Sequence, residues 1–153
     1  MTQIPRRAAL GLMFAALAGC AANSRETRRK PSYSGNTPAM QRLVTQYADL
    51  YDMPESLIHR VIIRESKYNA RARNGSYYGL MQIDPRTART MGYTGAPEGL
   101  LDAETNLRYA GKYLRGAWLV SRGSQDRAVM WYAKGYYYEA KRMGLLEQTG
   151  LRA

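Results

Sequence analysis

Apolar residues recur with the period of an α-helix from Thr37 onward, and this pattern constrains the fold more than any other feature. Thr37 followed by Pro38 is typical of a helix N-cap and a first helical residue. The apolar residues that follow share one helical face: Met40, Leu43, Val44, Tyr47, Ala48 and Tyr51. This part of the chain contains no run of four or more alternating β-formers. The sequence therefore predicts an all-α domain with at most a minimal β element.

Proline, glycine and capping residues divide the rest of the pattern into further helices. Met53-Pro54 ends the first helix and starts a second, with a predicted buried stripe of Leu57, Ile58, Val61 and Ile62. A polar loop is expected from Asn69 to Tyr78. The remaining predicted helices run from Asp84-Pro85 to about Met91-Gly92, from Asp102 to about Gly123, from Ser124 to Gly135, and from Tyr136 to Gly144. The longest of them has the stripe Leu107, Ala110, Leu114, Ala117, Trp118 and Ser121.

The composition excludes several kinds of site. One Cys and one His among 153 residues cannot form an internal disulfide, a cysteine-based zinc site or a multi-histidine metal site. A metal site would have to consist of carboxylates alone. We therefore expect no metal and no other cofactor.

The first twenty residues predict an export signal. Arg6 and Arg7 precede an uncharged stretch from Ala8 to Gly19, which is too short to span a bilayer but suits the apolar region of a signal peptide. The stretch ends in Leu17-Ala18-Gly19-Cys20, which resembles the lipobox of bacterial lipoproteins. That resemblance implies a signal peptide at 1–19 and a lipid on Cys20. The alternative is a small thiol near an ordinary cleavage site.

The resemblance to lipoproteins also implies an address. Ala21, rather than Asp, follows the cysteine, which in enterobacterial lipoproteins indicates the outer membrane. We expect the protein on the periplasmic side of the cell envelope, bound to the membrane through its N-terminal lipid.

Residues 20–36 are predicted to form a lipidated cysteine and a flexible basic tether. The segment after Cys20 is rich in Ser, Arg, Asn and Gly and almost free of aliphatic residues, so it cannot bury a face. It carries a net charge of +3, which either meets anionic lipid or is simply solvated. With the two signal-peptide arginines also set aside, the formal +11 of the chain leaves +6 for the domain at 37–153. That charge is modest, and an exported protein does not meet nucleic acid, so we expect no nucleic-acid partner.

One charged residue lies on a predicted apolar face. Glu65 follows Ile62 by three residues and Val61 by four, so it continues the stripe of the second helix. A carboxyl group buried there has a raised pKa, and a carboxylic acid that stays protonated near neutral pH suits general-acid catalysis at a glycosidic oxygen. Alternatively, Glu65 faces solvent at the helix end and pairs with a neighbouring cation. The spacing alone leaves both interpretations open.

The residues around and after Glu65 form an ordered series of short motifs. They are Glu65-Ser66-Lys67-Tyr68-Asn69, Gly79-Leu80-Met81-Gln82-Ile83, Leu101-Asp102-Ala103-Glu104-Thr105-Asn106-Leu107, Tyr109-Ala110-Gly111-Lys112-Tyr113-Leu114 and Ala128-Val129-Met130-Trp131-Tyr132-Ala133. This series resembles the soluble lytic transglycosylase family over roughly residues 50–136. The resemblance implies a goose-type-lysozyme-like helical domain around a glycan-binding cleft.

The resemblance also implies a reaction. Glu65 matches the single catalytic acid/base of the family, which cleaves peptidoglycan between N-acetylmuramic acid and N-acetylglucosamine. The nucleophile in that reaction is the muramyl C6 hydroxyl, which closes a 1,6-anhydro ring, so no water and no second carboxylate are needed. Gln82 matches the glutamine that lines the cleft near the acid, and Tyr132 matches a tyrosine whose hydroxyl lies beside it.

The sequence departs from the family pattern in three places, one of which is the loop before Gly79, where Tyr77-Tyr78 precede the glycine with one residue fewer than usual. Asn74 stands where the family usually has Ser, nine residues after the acid, and could still hydrogen-bond an acetamido group. Ala133 stands where an Asn usually follows the tyrosine, which removes one polar contact. We expect these changes to affect substrate affinity rather than catalysis.

Aromatic residues and one methionine complete the candidate substrate-binding set. Tyr78 and Tyr136 are the tyrosines that we expect to stack on sugar rings. Met81 is either a substrate contact or a residue at the edge of the core. Two other functions stay open on the residues alone. One is a lipid-anchored module that binds peptidoglycan without cutting it, and the other is a muramidase that hydrolyses the same bond with water.

Overall fold

The computed structural model describes residues 32–152, and helices dominate that part of the chain. Its six α-helices are α1 (Pro38–Leu50), α2 (Glu55–Glu65), α3 (Pro85–Thr90), α4 (Ala103–Val120), α5 (Gln125–Lys134) and α6 (Tyr137–Met143). A 3₁₀-helix at Pro97–Leu101 precedes α4, and two short strands, β1 (Arg73–Asn74) and β2 (Tyr77–Tyr78), lie between α2 and α3. The prediction of an all-α domain with a minimal β element is confirmed.

Four of the predicted capping residues accept the hydrogen bond expected of an N-cap. In each case a side-chain oxygen takes a backbone N–H of the first helical turn, which otherwise has no partner in the helix. The pairs are Thr37 with Met40 at 3.2 Å, Asp84 with Arg86 at 2.8 Å, Asp102 with Thr105 at 2.8 Å and Ser124 with Arg127 at 3.4 Å. Local side-chain chemistry therefore determines where these helices begin.

Helix α4 is the centre of the domain and contacts α1, α3, α5, α6 and the 3₁₀-helix. Its predicted stripe is buried, with Leu107, Ala110, Leu114 and Ala117 all at 0% exposure. Gly116 lets Tyr136 approach closely, because a Cβ there would lie 2.2 Å from the Tyr136 hydroxyl oxygen. The end of α4 lies earlier than predicted: Ser121 is the C-cap, and Arg122 and Gly123 both have left-handed φ angles, of 50° and 80°.

The predicted polar loop at Asn69–Tyr78 contains an antiparallel hairpin. Arg73 pairs with Tyr78 and Asn74 with Tyr77, and Gly75 takes a left-handed φ of 56° in the two-residue connection. Strands of two residues are too short to produce a visible alternation of apolar and polar residues, so the hairpin was not predicted. The 3₁₀-helix before α4 was not predicted either.

The C-terminal end of the predicted flexible tether, Tyr33–Asn36, forms a turn that packs against the domain. The Asn36 N–H donates to the Tyr33 carbonyl at 2.9 Å. The Tyr33 ring lies 5.6 Å from the ring of Tyr68, centroid to centroid, so aromatic packing holds the turn in place. The predicted signal peptide, Cys20 and the tether up to residue 31 lie outside the described residues. Within the described range, no helix is both long and apolar enough to cross a membrane.

Candidate active site

Glu65 is the last residue of α2, and its carboxyl group is half-buried. The side chain is 24% exposed, and its Oε1 lies 3.4 Å from Nε of Arg64. Burial raises the pKa of the Glu65 carboxyl above its ordinary value, and the Arg64 charge opposes part of that rise. Both features considered from the sequence are therefore present: the group is partly desolvated, and it has a cation on one side.

The residue after Glu65 joins α2 to the segment that follows the hairpin. The Ser66 hydroxyl donates to the Leu80 carbonyl at 2.6 Å and contacts the Ile62 carbonyl at 3.3 Å. Ser66 thereby fixes the end of α2 against Gly79–Gln82, so Glu65 lies beside that segment.

A fully buried asparagine on α4, Asn106, holds the Gly79–Gln82 segment through hydrogen bonds from the core side. Asn106 is 0% exposed, and its Oδ1 accepts the Met81 N–H at 2.8 Å. Its Nδ2 donates to the Tyr78 carbonyl at 2.9 Å and to the Leu100 carbonyl at 2.8 Å. Gly79 passes so close that a Cβ would lie 2.3 Å from Nδ2 of Asn106, which explains a glycine with a left-handed φ of 78°. One side chain thus satisfies three buried backbone groups beneath the site.

Tyr132 approaches the same segment from α5. Its hydroxyl donates to the Met81 carbonyl at 2.9 Å. Burial raises the pKa of the Tyr132 hydroxyl well above its ordinary value, and the nearby charge of Glu65 adds to the rise. Because its proton is held by Met81, the hydroxyl oxygen is left to act as an acceptor.

These elements enclose two adjoining cavities that together form a cleft. The first has a volume of about 240 Å³ and contains Glu65. The second has a volume of about 290 Å³ and extends toward α3 and the end of α5. Four residues line both: Tyr77, Gln82, Tyr132 and Ala133. Because these residues line both, the two cavities are continuous with each other.

Three of the predicted substrate-binding residues line the cavity that contains Glu65. They are Asn74, on the hairpin, Gln82, and Tyr132. Gln82 has a left-handed φ of 51°, and its Nε2 donates to the carbonyls of Ala72 and Gly79 at 3.1 and 2.9 Å. Its amide nitrogen therefore links the two residues that flank the hairpin, Ala72 and Gly79, and so stabilises the hairpin at the edge of the cleft.

The other three residues predicted to contact substrate are buried: Met81, for which a place at the edge of the core was the alternative, and Tyr78 and Tyr136, which were expected to stack on sugar rings. Met81 is 0% exposed, so its side chain belongs to the core and only its backbone serves the site. The Tyr78 ring is 6% exposed and is covered by the Arg73 guanidinium, 4.6 Å from its centroid. Tyr136 is 1% exposed, and its hydroxyl donates to the Tyr113 carbonyl at 2.9 Å.

Two tyrosines that were not predicted to bind sugar, Tyr77 and Tyr113, line the cleft, whereas Tyr78 and Tyr136 do not. Tyr77 is 50% exposed and lines both cavities. Tyr113, on α4, lines the second cavity and contacts the Tyr132 ring edge-on at 5.5 Å. The second cavity also receives two cations, Arg86 and Lys134. Because neighbouring residues of a strand face opposite sides, one of Tyr77 and Tyr78 had to face the cleft, but the sequence did not indicate which.

The second cavity is also lined by a carboxyl group, that of Asp84, and both of its oxygens already accept hydrogen bonds from the protein. Asp84 caps α3, and both of its oxygens accept hydrogen bonds from the Arg86 side chain, each at 3.1 Å. These bonds hold the pKa of Asp84 below its ordinary value. Within residues 32–152, no group of three or more His, Cys, Asp or Glu side chains converges in a way that could hold a metal ion.

A comparison with protein-family models identifies the family to which this domain belongs. The sequence matches the family described as the Transglycosylase SLT domain over residues 42–144, which is more than half of the chain. The chain belongs to the transglycosylase SLT family. A search of solved structures found no match to it. The resemblance noted in the sequence is thus confirmed, and the matched range contains Glu65 and both cavities.

Membership of the SLT family also defines the general activity. The protein has a transglycosylase-type function and acts on the glycan strands of peptidoglycan. A strand of linked sugars is an extended ligand, and the two adjoining cavities of this SLT domain share Tyr77, Gln82 and Tyr132 in their lining.

Proposed function

We propose that the protein is a lytic transglycosylase that cleaves the β-1,4 bond between N-acetylmuramic acid and N-acetylglucosamine without water. The observation that carries this proposal is the half-buried Glu65, with its raised pKa, in a cavity where it is the one carboxyl group among the described lining residues. A single acid of this kind can serve as both acid and base when the substrate supplies the nucleophile.

The proposed reaction has two proton transfers. Protonated Glu65 donates its proton to the glycosidic oxygen as the bond from that oxygen to C1 of the muramyl residue breaks. The resulting carboxylate then takes the proton of the muramyl C6 hydroxyl, and the C6 oxygen forms a bond to C1. Glu65 ends protonated, and the products are a free 4-hydroxyl on the departing sugar and a 1,6-anhydro ring on the other.

Tyr132 supports the protonated form of Glu65 in this scheme. Its own proton is directed to the Met81 carbonyl, so its oxygen can accept but not donate toward the cleft. An acceptor beside a carboxyl group favours the neutral acid over the carboxylate. We therefore expect Tyr132, which lines the same cavity as Glu65, to favour the protonated acid that the first step needs.

The alternative of water-driven hydrolysis requires a second carboxyl group as base or nucleophile. Asp84 is the other carboxyl group among the described residues that line the cleft. It is 8% exposed and accepts hydrogen bonds from Arg86 through both oxygens. A carboxylate so engaged is a poor candidate to activate water.

Mass spectrometry of the products tests the reaction. The full chain is incubated with purified peptidoglycan sacculi, and the soluble muropeptides are analysed. We expect fragments that end in 1,6-anhydro-muramic acid, one water lighter than reducing ends. Reducing ends would identify a muramidase, and a protein that sediments with sacculi but releases nothing would be a binding module.

We also propose that the mature protein is anchored through a lipid on Cys20, at the periplasmic face of the outer membrane. The apolar stretch from Ala8 to Gly19 and the four residues ending in Cys20 support this location. Expression of the whole chain in a bacterium, followed by intact-mass measurement and membrane fractionation, tests it. A diacylglycerol mass on a chain that begins at Cys20 is expected, and a soluble Cys20→Ala variant is the control.

Substitution of Tyr77 tests which tyrosine stacks on the sugar. Tyr77→Ala removes the half-exposed ring that lines both cavities and is expected to raise KM about tenfold with a smaller change in kcat. Tyr138→Ala is the matched control, since Tyr138 is 83% exposed and lines neither cavity. Equal KM values for the two variants would mean that the Tyr77 ring does not contribute to substrate binding.

A further inference from the structure

The chain takes an unusual backbone conformation immediately after Glu65. Lys67 and Tyr68 have φ angles of 51° and 68°, in the left-handed region that residues with a side chain rarely adopt. Two such residues in succession reverse the chain at the end of α2, three residues from the Glu65 carboxyl. A conformation of this kind persists only where surrounding contacts hold it.

The side chain of Tyr68 supplies one set of those contacts. It is 3% exposed, and its hydroxyl lies 2.5 Å from Nδ1 of His59, on α2. Nε2 of the same histidine lies 3.1 Å from Oε1 of Glu55, at the start of that helix. The Tyr68 side chain therefore turns back to α2 and fastens the reversed segment to it.

The turn at Tyr33–Asn36 covers the other side of Tyr68. The Tyr33 and Tyr68 rings are 5.6 Å apart and inclined by 30°. Gly35 passes against the Tyr68 backbone so closely that a Cβ would lie 2.0 Å from the Tyr68 carbonyl oxygen. The Tyr33–Asn36 turn thus packs directly against Tyr68, one of the two residues with a left-handed φ angle.

We propose that the Tyr33–Asn36 turn is a clamp that positions the Glu65 carboxyl by holding the Ser66–Tyr68 segment in its reversed conformation. The inference rests on the proposed role of Glu65 as acid and base. Tyr33 and Gly35 are positioning residues here, since neither lines the cleft. Glu65 is the last residue of its helix, and helix ends fray when the residues beyond them are released.

Loss of the clamp has a defined effect on Glu65. Its carboxyl lies beside Arg64 on its own helix and shares its cavity with Tyr77 on β2 and Tyr132 on α5. A frayed helix end admits water beside the carboxyl, which removes part of the desolvation that raises its pKa. The acid then loses its proton at a lower pH.

The kinetic test uses the full chain with Tyr33→Ala, Tyr33→Phe and Tyr109→Ala. Tyr33→Ala is expected to lower kcat about tenfold at unchanged KM and to move the alkaline limb of the pH profile to lower pH. Tyr33→Phe restores both values, because the ring carries the contact. Tyr109 is the matched control, since it too is partly buried against a buried tyrosine, Tyr93, at 5.0 Å, but away from the cleft. Tyr109→Ala is expected to reduce stability and to leave the pH profile in place.

A second readout does not depend on activity. The carboxyl-carbon NMR signal of Glu65, assigned with Glu65→Gln, is titrated in the unaltered chain and in the same three variants. A lower Glu65 pKa in Tyr33→Ala alone supports the clamp, even if the unaltered chain cleaves no glycan and the proposed function fails. Identical titrations in all the variants, or equal shifts in Tyr33→Ala and Tyr109→Ala, would overturn the clamp whatever the activity.

Discussion

Glu65→Gln is expected to lower glycan cleavage about a thousandfold while leaving the fold intact. The amide has nearly the shape of the carboxyl group, so the half-buried position tolerates it, but it neither donates a proton to the leaving oxygen nor removes one from the C6 hydroxyl. Release of soluble muropeptides from sacculi measures the loss. Glu147→Gln, at an exposed position near the C-terminus, is the matched control and is expected to retain full activity.

The pH dependence of cleavage and of stability follows from the same residue. The pKa of Glu65 is raised in the folded protein, so the acid stays protonated to a higher pH than an ordinary glutamate, and cleavage falls as pH rises through that folded pKa. The folded state also binds this proton more tightly than the unfolded state. Its contribution to stability is therefore complete below the unfolded pKa and is lost as pH rises through the folded one.

The stability of the Glu65→Gln variant is a test of the same linkage to pH. Gln carries no charge at any pH, so Glu65→Gln is expected to be at least as stable as the unaltered chain at neutral pH. Denaturant midpoints at acid and neutral pH measure the difference. Normal cleavage by a folded Glu65→Gln variant would refute the proposed mechanism.

Asn106→Leu is expected to destabilise the domain by about 3–5 kcal/mol, which is a large fraction of the total stability of a domain of this size. Leucine has a similar volume but offers no hydrogen bond. It would leave the Met81 N–H and the carbonyls of Tyr78 and Leu100 without their partner in a site that is 0% exposed. The same change loosens Met81, whose carbonyl holds the Tyr132 hydroxyl.

Urea unfolding followed by circular dichroism measures the loss. Asn69→Leu is the matched control, because Asn69 is exposed and its Oδ1 accepts one backbone N–H, from Arg71 at 3.0 Å. That variant is expected to lose less than about 1 kcal/mol. Similar midpoints for the two variants would mean that the three buried bonds contribute little to the fold.

Helix positions were predictable from the sequence because local chemistry determines them. Thr37, Asp84, Asp102 and Ser124 each combine a capping side chain with the start of an apolar period, and each caps its helix. The hairpin and the Tyr33–Asn36 turn were not predictable in the same way. Their conformations depend on contacts with Ile83, Asn106 and Tyr68, which are distant in sequence or carry no periodic signal.

The candidate site was predictable where a polar residue interrupts an apolar stripe. Glu65 interrupts the stripe of α2 in this way, and in the structure it is partly buried and its pKa is raised. Asn106 interrupts the buried face of α4 in the same way, four residues before Ala110, so it too was predictable from the sequence. The sequence could not distinguish Tyr77 from Tyr78, since a strand of two residues contains no alternation to show which side is buried.

The hairpin also indicates where this cleft could be remodelled. Its base is fixed by the pairing of Tyr78 with Ile83 and by the bond from Asn106, whereas Gly75 at its tip has no atom within 4 Å of the place that a Cβ would occupy. Asn74 and Tyr77 flank that tip and line the cavity of Glu65. Residues inserted beside Gly75 would therefore lengthen one wall of the cleft and alter which glycans enter it, while the buried bonds that hold the wall stay in place.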